Sequence, residues 1–423
     1  MLPSDKPTSI DQLGFEPYVK GVENLIRKTN PDDLPLAIGI YGAWGAGKTS
    51  FMLQLKSCLE TNTDGLSLPT IWFDAWKYDC MQDVRSALIY KILFSLQTKA
   101  GSGAKDKLED AAKNLGRLTL GIIKQSHVQL GVPGVVGVTS PSIEQAQEYS
   151  DYWKTYQTIV DQFASEFGKA VEAYLSQCHE KQEAKLVVFI DDLDRCLPEN
   201  VMVVLEALKL FLVESQCVFV IGVDRTVVER AIQAHYNTEP GGLGREYLDK
   251  IIRYPFNIPP AESTKLEEYF GQLTEPDSRN DKCLHVLKVA AEGNPRVYLR
   301  LANAWNLVAS LAPHVIPDLW QEDCKHILAI ATAVHIRFPA LHEVCCRNPR
   351  GLYFLFENWT NPPREEINRV LARANAVEYA QFWENAPARN FFLGLRTLGD
   401  SSAKLFGPPQ SLESAFRLSA STA

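Results

Sequence analysis

Residues 36–50 read LAIGIYGAWGAGKTS, and this stretch decides the fold. Leu36–Tyr41 is a short apolar run entering a glycine turn, the pattern of a buried strand. Gly42, Ala43, Trp44, Gly45, Ala46, Gly47, Lys48 and Thr49 then satisfy G-x-x-x-x-G-K-[ST] in full. From Ser50 onward Phe51, Leu53, Leu55 and Leu59 recur among polar positions, so a helix follows. Strand, glycine turn and helix together are the setting of a phosphate-binding loop. Glycines without a Cβ let backbone amides close around phosphates. Lys48 is expected to place a charge between the β- and γ-phosphates, and Thr49 to offer its hydroxyl to Mg²⁺. The helix N-terminus adds an electropositive end.

Downstream, Leu186–Ile190 (LVVFI) is a second fully apolar run and ends in Asp191-Asp192-Leu193-Asp194-Arg195. An acid at the end of a buried strand is the expected second partner of a phosphate loop. Asp191 is assigned to Mg²⁺, and Asp192 to orienting or deprotonating the attacking water. Asp194 reads equally as part of the site or as a solvated loop residue. Cys217–Val223 is a further buried strand and ends at Asp224, which is either a sensor of the γ-phosphate or the cap of the next helix. Three arginines are candidates for transition-state charge. Arg253 and Arg245 would act on a neighbouring copy, and Arg296, in Gly293-Asn-Pro-Arg296, would reach back from a helical lid. Trp72, Phe73, Trp76 and Tyr78 read as core, with a wall beside the nucleotide as the other reading.

Five short strands (near 36–41, 70–73, 186–190, 217–223 and 254–258) alternate with helices, which implies α/β architecture with a parallel sheet. The strand signal stops at Pro259-Pro260. The expected division is a core over 1–260 with a helical insertion at about 99–180, a helical lid over 261–340, and a helical extension over 341–423.

The 423 residues are 46% hydrophobic and 22% charged, which excludes a disordered or collagen-like chain. Net charge is −8, so a broad nucleic-acid surface is not supported. Nine cysteines without a CxxC pair, and an opening MLPSDKPTSIDQ without an apolar core, lead to the expectation of a reduced, cytoplasmic protein. No run reaches 18 apolar residues. HExxH, GxSxG and N-K-x-D are absent, so zinc hydrolysis, a serine nucleophile and guanine selection have no support.

Five segments together resemble the KAP family of P-loop NTPases: Asp11-Gln-Leu-Gly-Phe15, Ile40–Ser50, Trp72-Phe-Asp-Ala-Trp76-Lys-Tyr78, Asp191-Asp-Leu-Asp-Arg-Cys196, and Tyr247–Ile252 with Pro255-Phe256. Gly293–Arg296 agrees. The resemblance covers about residues 11–310. It implies an additional-strand (AAA/STAND-like) P-loop core sandwiched by helices, with ATP and Mg²⁺ as cofactors, Gly42–Ser50 as the nucleotide loop, and Asp191 and Asp192 in the roles given above. It also implies ATP hydrolysis as a switch for a protein partner encoded nearby, in bacterial antiphage or antiplasmid defence, with an ATP-dependent homo-oligomer as one outcome. Many relatives carry transmembrane helices between the two phosphate motifs. Here Lys105, Asp106, Lys107, Glu109, Asp110, Lys124, Gln125 and His127 break every apolar run in that place. A member without that tether is therefore expected. The alternative reading is a nucleotide-locked scaffold with little turnover.

Overall fold

In the computed structural model the five apolar runs become five strands: β1 (Leu36–Tyr41), β2 (Thr70–Asp74), β3 (Leu186–Asp191), β4 (Cys217–Val223) and β5 (Tyr254–Asn257). The structure describes residues 6–61, 67–81, 83–126, 143–177, 184–213, 215–236, 243–274, 280–358, 364–373, 375–399 and 401–422. All strand pairs are parallel, in the order β2-β3-β4-β1-β5. Strand β4 thus lies between the phosphate-loop strand and the acidic strand, as expected of the additional-strand class. Every residue of β1, β3 and β4 is buried, which is why these strands read as unbroken apolar runs. β5 is the edge strand, largely exposed, and carries Pro255 where no ladder donor is needed.

The helices that cover the sheet are α1 (Glu16–Lys28), α2 (Lys48–Glu60), α3 (Val84–Lys99), α4 (Ser102–Ser126), α5 (Ile143–Leu175), α6 (Pro198–Phe211), α7 (Arg225–Tyr236) and α8 (Leu243–Ile251). Helices α4 and α5 form the insertion. Gly101 meets Gln177 and Asn114 meets Glu166, so the two run antiparallel. Their apolar sides reach the sheet layer through Phe163 and Phe167, which pack on Phe211 of α6. The glycine–valine stretch 131–137 lies outside the described residues. No helix among those described is long and apolar enough to cross a membrane. Lys185, just before β3, is fully buried, and its ammonium donates to the carbonyls of Ile26, Arg27 and Thr29 at 2.9, 3.1 and 2.7 Å. It satisfies the C-terminal carbonyls of α1 and complements that helix's negative end.

The chain divides into two units, one of Pro7–Ile10 and Glu16–Ile258, the other including Asp11–Phe15 and Pro259–Ala423. The second unit is helical: α9 (Ser263–Leu273), α10 (Asp281–Ala291), α11 (Pro295–Val315), α12 (Lys325–Arg337), α13 (Pro339–Arg347), α14 (Arg350–Asn358) and shorter helices up to Pro409–Ala420. Residues on both sides of position 340, from Leu266 and Trp305 to Tyr379 and Phe416, share one apolar core. Asn280 and Asn294 cap α10 and α11, each accepting two amides of the first turn.

Tyr379 is a keystone of this core. It is buried and donates to the Asn348 carbonyl at 2.7 Å. A Cβ placed on Gly351 would clash with a carbon of the Tyr379 ring. Gly351→Ala should therefore destabilise the chain by about 2 kcal/mol, overpacking outweighing the helix propensity gained. Gly21→Ala in α1, where a Cβ meets nothing within 4 Å, should instead add roughly 0.5–1 kcal/mol. Urea midpoints of the two variants should move in opposite directions. A Gly351→Ala protein as stable as the parent would refute the packing argument.

Candidate functional site

Loops at the C-terminal ends of β1, β2, β3 and β4 converge, the usual ligand side of an open parallel sheet. After β1 the chain turns through Gly45 and Gly47, both left-handed at φ 85° and 96°, where a side chain would strain the backbone. Gly47 is the N-cap residue of α2, so the helix begins on Lys48. The first amides of α2 have no intrahelical acceptor and its dipole favours an anion. The Ser50 hydroxyl accepts the Thr8 amide at 3.3 Å, tying the N-terminal segment to the loop.

Lys48 is buried. Its ammonium donates to the Gly42 carbonyl at 3.0 Å and forms an ion pair with Asp194 at 3.1 Å. Asp194 is therefore no solvated loop residue. Its Oδ2 also accepts the Asp224 amide at 2.8 Å, linking the phosphate lysine to the end of β4. Sequence reasoning had left this carboxylate undecided. The only available signal was its place three residues after the strand acid.

Asp191 ends β3 and is buried. The Thr49 hydroxyl and the Asp192 amide favour its ionised form, yet Oδ1 has no hydrogen-bond partner among the described residues. Burial, reinforced by the Asp192 charge, pushes its pKa up to about 6. A Cβ at Gly222 of β4 would stand 3.1 Å from that Oδ1, so glycine leaves the room in front of it. An orphaned carboxylate oxygen beside a threonine hydroxyl suits a hard cation that keeps most of its waters, and Mg²⁺ is such a cation. The site fits the metal.

Asp192 adopts a left-handed backbone at φ 55°, uncommon for a non-glycine residue. Its carboxylate pairs with Arg195 at 2.9 Å. Burial raises its pKa and Arg195 opposes the rise. The Arg195 guanidinium stands 5.7 Å from the Trp44 ring centre and 5.1 Å from that of Trp76. Both rings are more than half exposed. Phe73 is core and stacks on Tyr78 at 5.0 Å, while Trp72 stacks on Phe189 at 5.5 Å. The aromatic segment in and just after β2 thus divides, with Trp76 alone of the four beside Arg195. Burial pushes the Cys196 thiol up to about 12, which removes it as a nucleophile.

Asp224 Oδ1 accepts the Thr226 amide at 3.0 Å and its hydroxyl at 2.7 Å, the geometry of a cap on α7. Arg253 is exposed and its amide bonds Ala37, level with the start of β1. It lies at the opposite end of the sheet from the loop, roughly 13 Å away at 3.3 Å per residue. Arg245 is exposed on α8 and pairs with Asp249 at 3.8 Å. Arg296 sits in the first turn of α11, in the helical unit.

Comparison with known proteins agrees with this geometry. The profile of the KAP family P-loop domain matches residues 15–312. The phage T7 exclusion protein of Escherichia coli (strain K12) is 23% identical over 286 residues, covering 63% of this chain and 35% of that protein. An uncharacterized protein of Methanocaldococcus jannaschii is 26% identical over 167 residues, 33% of this chain and 81% of that protein. The match thus spans about a third of the length of the exclusion protein.

Proposed function

The chain belongs to the KAP family of P-loop domains, and from that premise we propose that it binds ATP with Mg²⁺ and hydrolyses it as a conformational switch for a partner protein. The setting we propose is defence against phage or plasmids; the phage arm is supported by the similarity to a protein named for exclusion of phage T7. The observation that carries the chemistry is the buried Asp191 carboxyl, influenced by the Thr49 hydroxyl and left with one unpartnered oxygen among the described residues. An ionised, solvent-shielded acid with no cation of its own is costly, and a bound metal is the group that would relieve it.

In this reading Lys48 and the α2 amides hold the phosphates, and Thr49 and Asp191 hold Mg²⁺. When bound, the cation supplies charge neutralisation at the β- and γ-oxygens. Asp192 orients the attacking water once Arg195 gives it up. Asp224 would sense the γ-phosphate, and Arg296 and, from a neighbouring copy, Arg253 or Arg245 would stabilise charge in the transition state. Phosphate release under steady state tests it. Asp192→Asn should turn over ATP at least about 100-fold more slowly than the parent, the scale of a lost general base. Equal rates would refute hydrolysis at this site.

One observation favours the second reading, a nucleotide-locked scaffold. Asp192 is already engaged by Arg195 at 2.9 Å. Protein that retains intact ATP through long incubation with Mg²⁺ would support that reading over turnover.

A further inference from the structure

Lys48 and Asp194 form an ion pair at 3.1 Å with only 7% and 6% of their side chains exposed. The lysine that a phosphate loop needs for its ligand is thus already neutralised from within the chain. One ammonium proton goes to the Gly42 carbonyl, and the charge faces Asp194. We propose that Asp194 is the resting counter-ion of Lys48, a positioning residue that holds the ammonium in the empty site and yields it to the β-phosphate of a nucleotide. This deepens the nucleotide-binding reading above and rests on it.

Three observations support an exchange rather than a permanent pair. First, Asp194 keeps an anchor when Lys48 leaves, because the same Oδ2 accepts the Asp224 amide at 2.8 Å. That amide belongs to the residue that opens α7, so the carboxylate also rests against the electropositive end of a helix. A buried carboxylate so placed loses its cation without being orphaned. Second, Asp192 has its own cation in Arg195, and of the three acids of the loop Asp194 is the one that stands within ion-pair distance of the Lys48 ammonium. Third, the pair is shielded from solvent, so its attraction is little screened by salt and competes with an incoming phosphate at full strength.

Competition of this kind lowers apparent affinity by the fraction of molecules whose lysine is engaged. Calorimetric titration of ADP with Mg²⁺ into the full chain is the test. Asp194→Asn keeps an oxygen for the Asp224 amide and removes the charge, so it should bind ADP about tenfold more tightly. Asp194→Glu, which keeps the charge, should stay within about threefold of the parent. An Asp194→Asn protein that binds ADP equally or more weakly would overturn the proposal. A second arm works without nucleotide. In urea unfolding of the empty protein, Lys48→Met with Asp194→Asn should be more stable than Lys48→Met alone. Additive losses would overturn the counter-ion role. Absence of ADP binding in every variant, with the coupling intact, would instead strike at the nucleotide reading.

Discussion

Asp191→Asn is expected to raise the melting temperature of the nucleotide-free protein while removing its Mg²⁺-dependent ATP turnover. The carboxyl keeps its proton to about pH 6, against 3.8 in an unfolded chain. Between those values the native state binds more protons than the unfolded one, so stability falls as pH rises through the window. Above about pH 6 the whole cost of the buried charge is present, on the order of 3 kcal/mol. Asparagine has the same shape and carries no charge to desolvate. The stabilisation should therefore be largest at pH 7–8, shrink through pH 6, and vanish near pH 4. Turnover should fall at least about 100-fold because the metal loses its protein carboxylate. Melting curves of parent and variant between pH 4 and 8, with phosphate release at pH 7.5, check both halves. A variant less stable than the parent at pH 7.5, or a gain that grows towards acid, would contradict the assignment.

Mg²⁺ requires the ionised carboxylate, so its binding should strengthen as pH rises through about 6. The group that makes the empty site unstable is thus the group that makes the filled one. That trade-off is common where a buried charge awaits a ligand.

Much of this was legible from local pattern. β1, β3 and β4 are buried on both faces, so their sequences are unbroken apolar runs. The loop glycines announce themselves because Gly45 and Gly47 need positive φ. What local pattern does not carry is the set of contacts between strand ends. Parallel pairing puts Asp74 opposite Asp191, and with them Trp76 beside Arg195 and Trp44. No spacing in the chain records that meeting, and none records Lys48 beside Asp194. Arg253 is the opposite case. Once all strands are parallel, a residue just before a strand must lie at the end away from the phosphate loop. Its position at the level of Ala37 follows from that rule alone. Asp224 was undecidable from sequence because a residue between strand and helix serves equally as sensor and as cap. Its two bonds to Thr226 place it as a cap.

Lys48→Ala should affect the same site with the opposite sign. It removes the cation from a buried pair and leaves Asp194 6% exposed beside a missing partner. Breaking such a pair from one side costs about 3–5 kcal/mol, and the Asp224 amide bond to Asp194 favours the lower end. The nucleotide-free variant should therefore melt below the parent, whereas Asp191→Asn melts above it. Both should lose the response to ligand. If the parent holds ATP with Mg²⁺ at 100 times its dissociation constant, binding stabilises the fold by about 2.7 kcal/mol, a term that Lys48→Ala should lack. Six melting curves decide the matter, the parent and each variant with and without ATP and Mg²⁺. If Lys48→Ala leaves the empty protein unchanged, the ion pair with Asp194 contributes nothing and the counter-ion argument fails with it. If it melts lower yet still gains from ATP, Lys48 is a structural cation and the phosphates are held elsewhere.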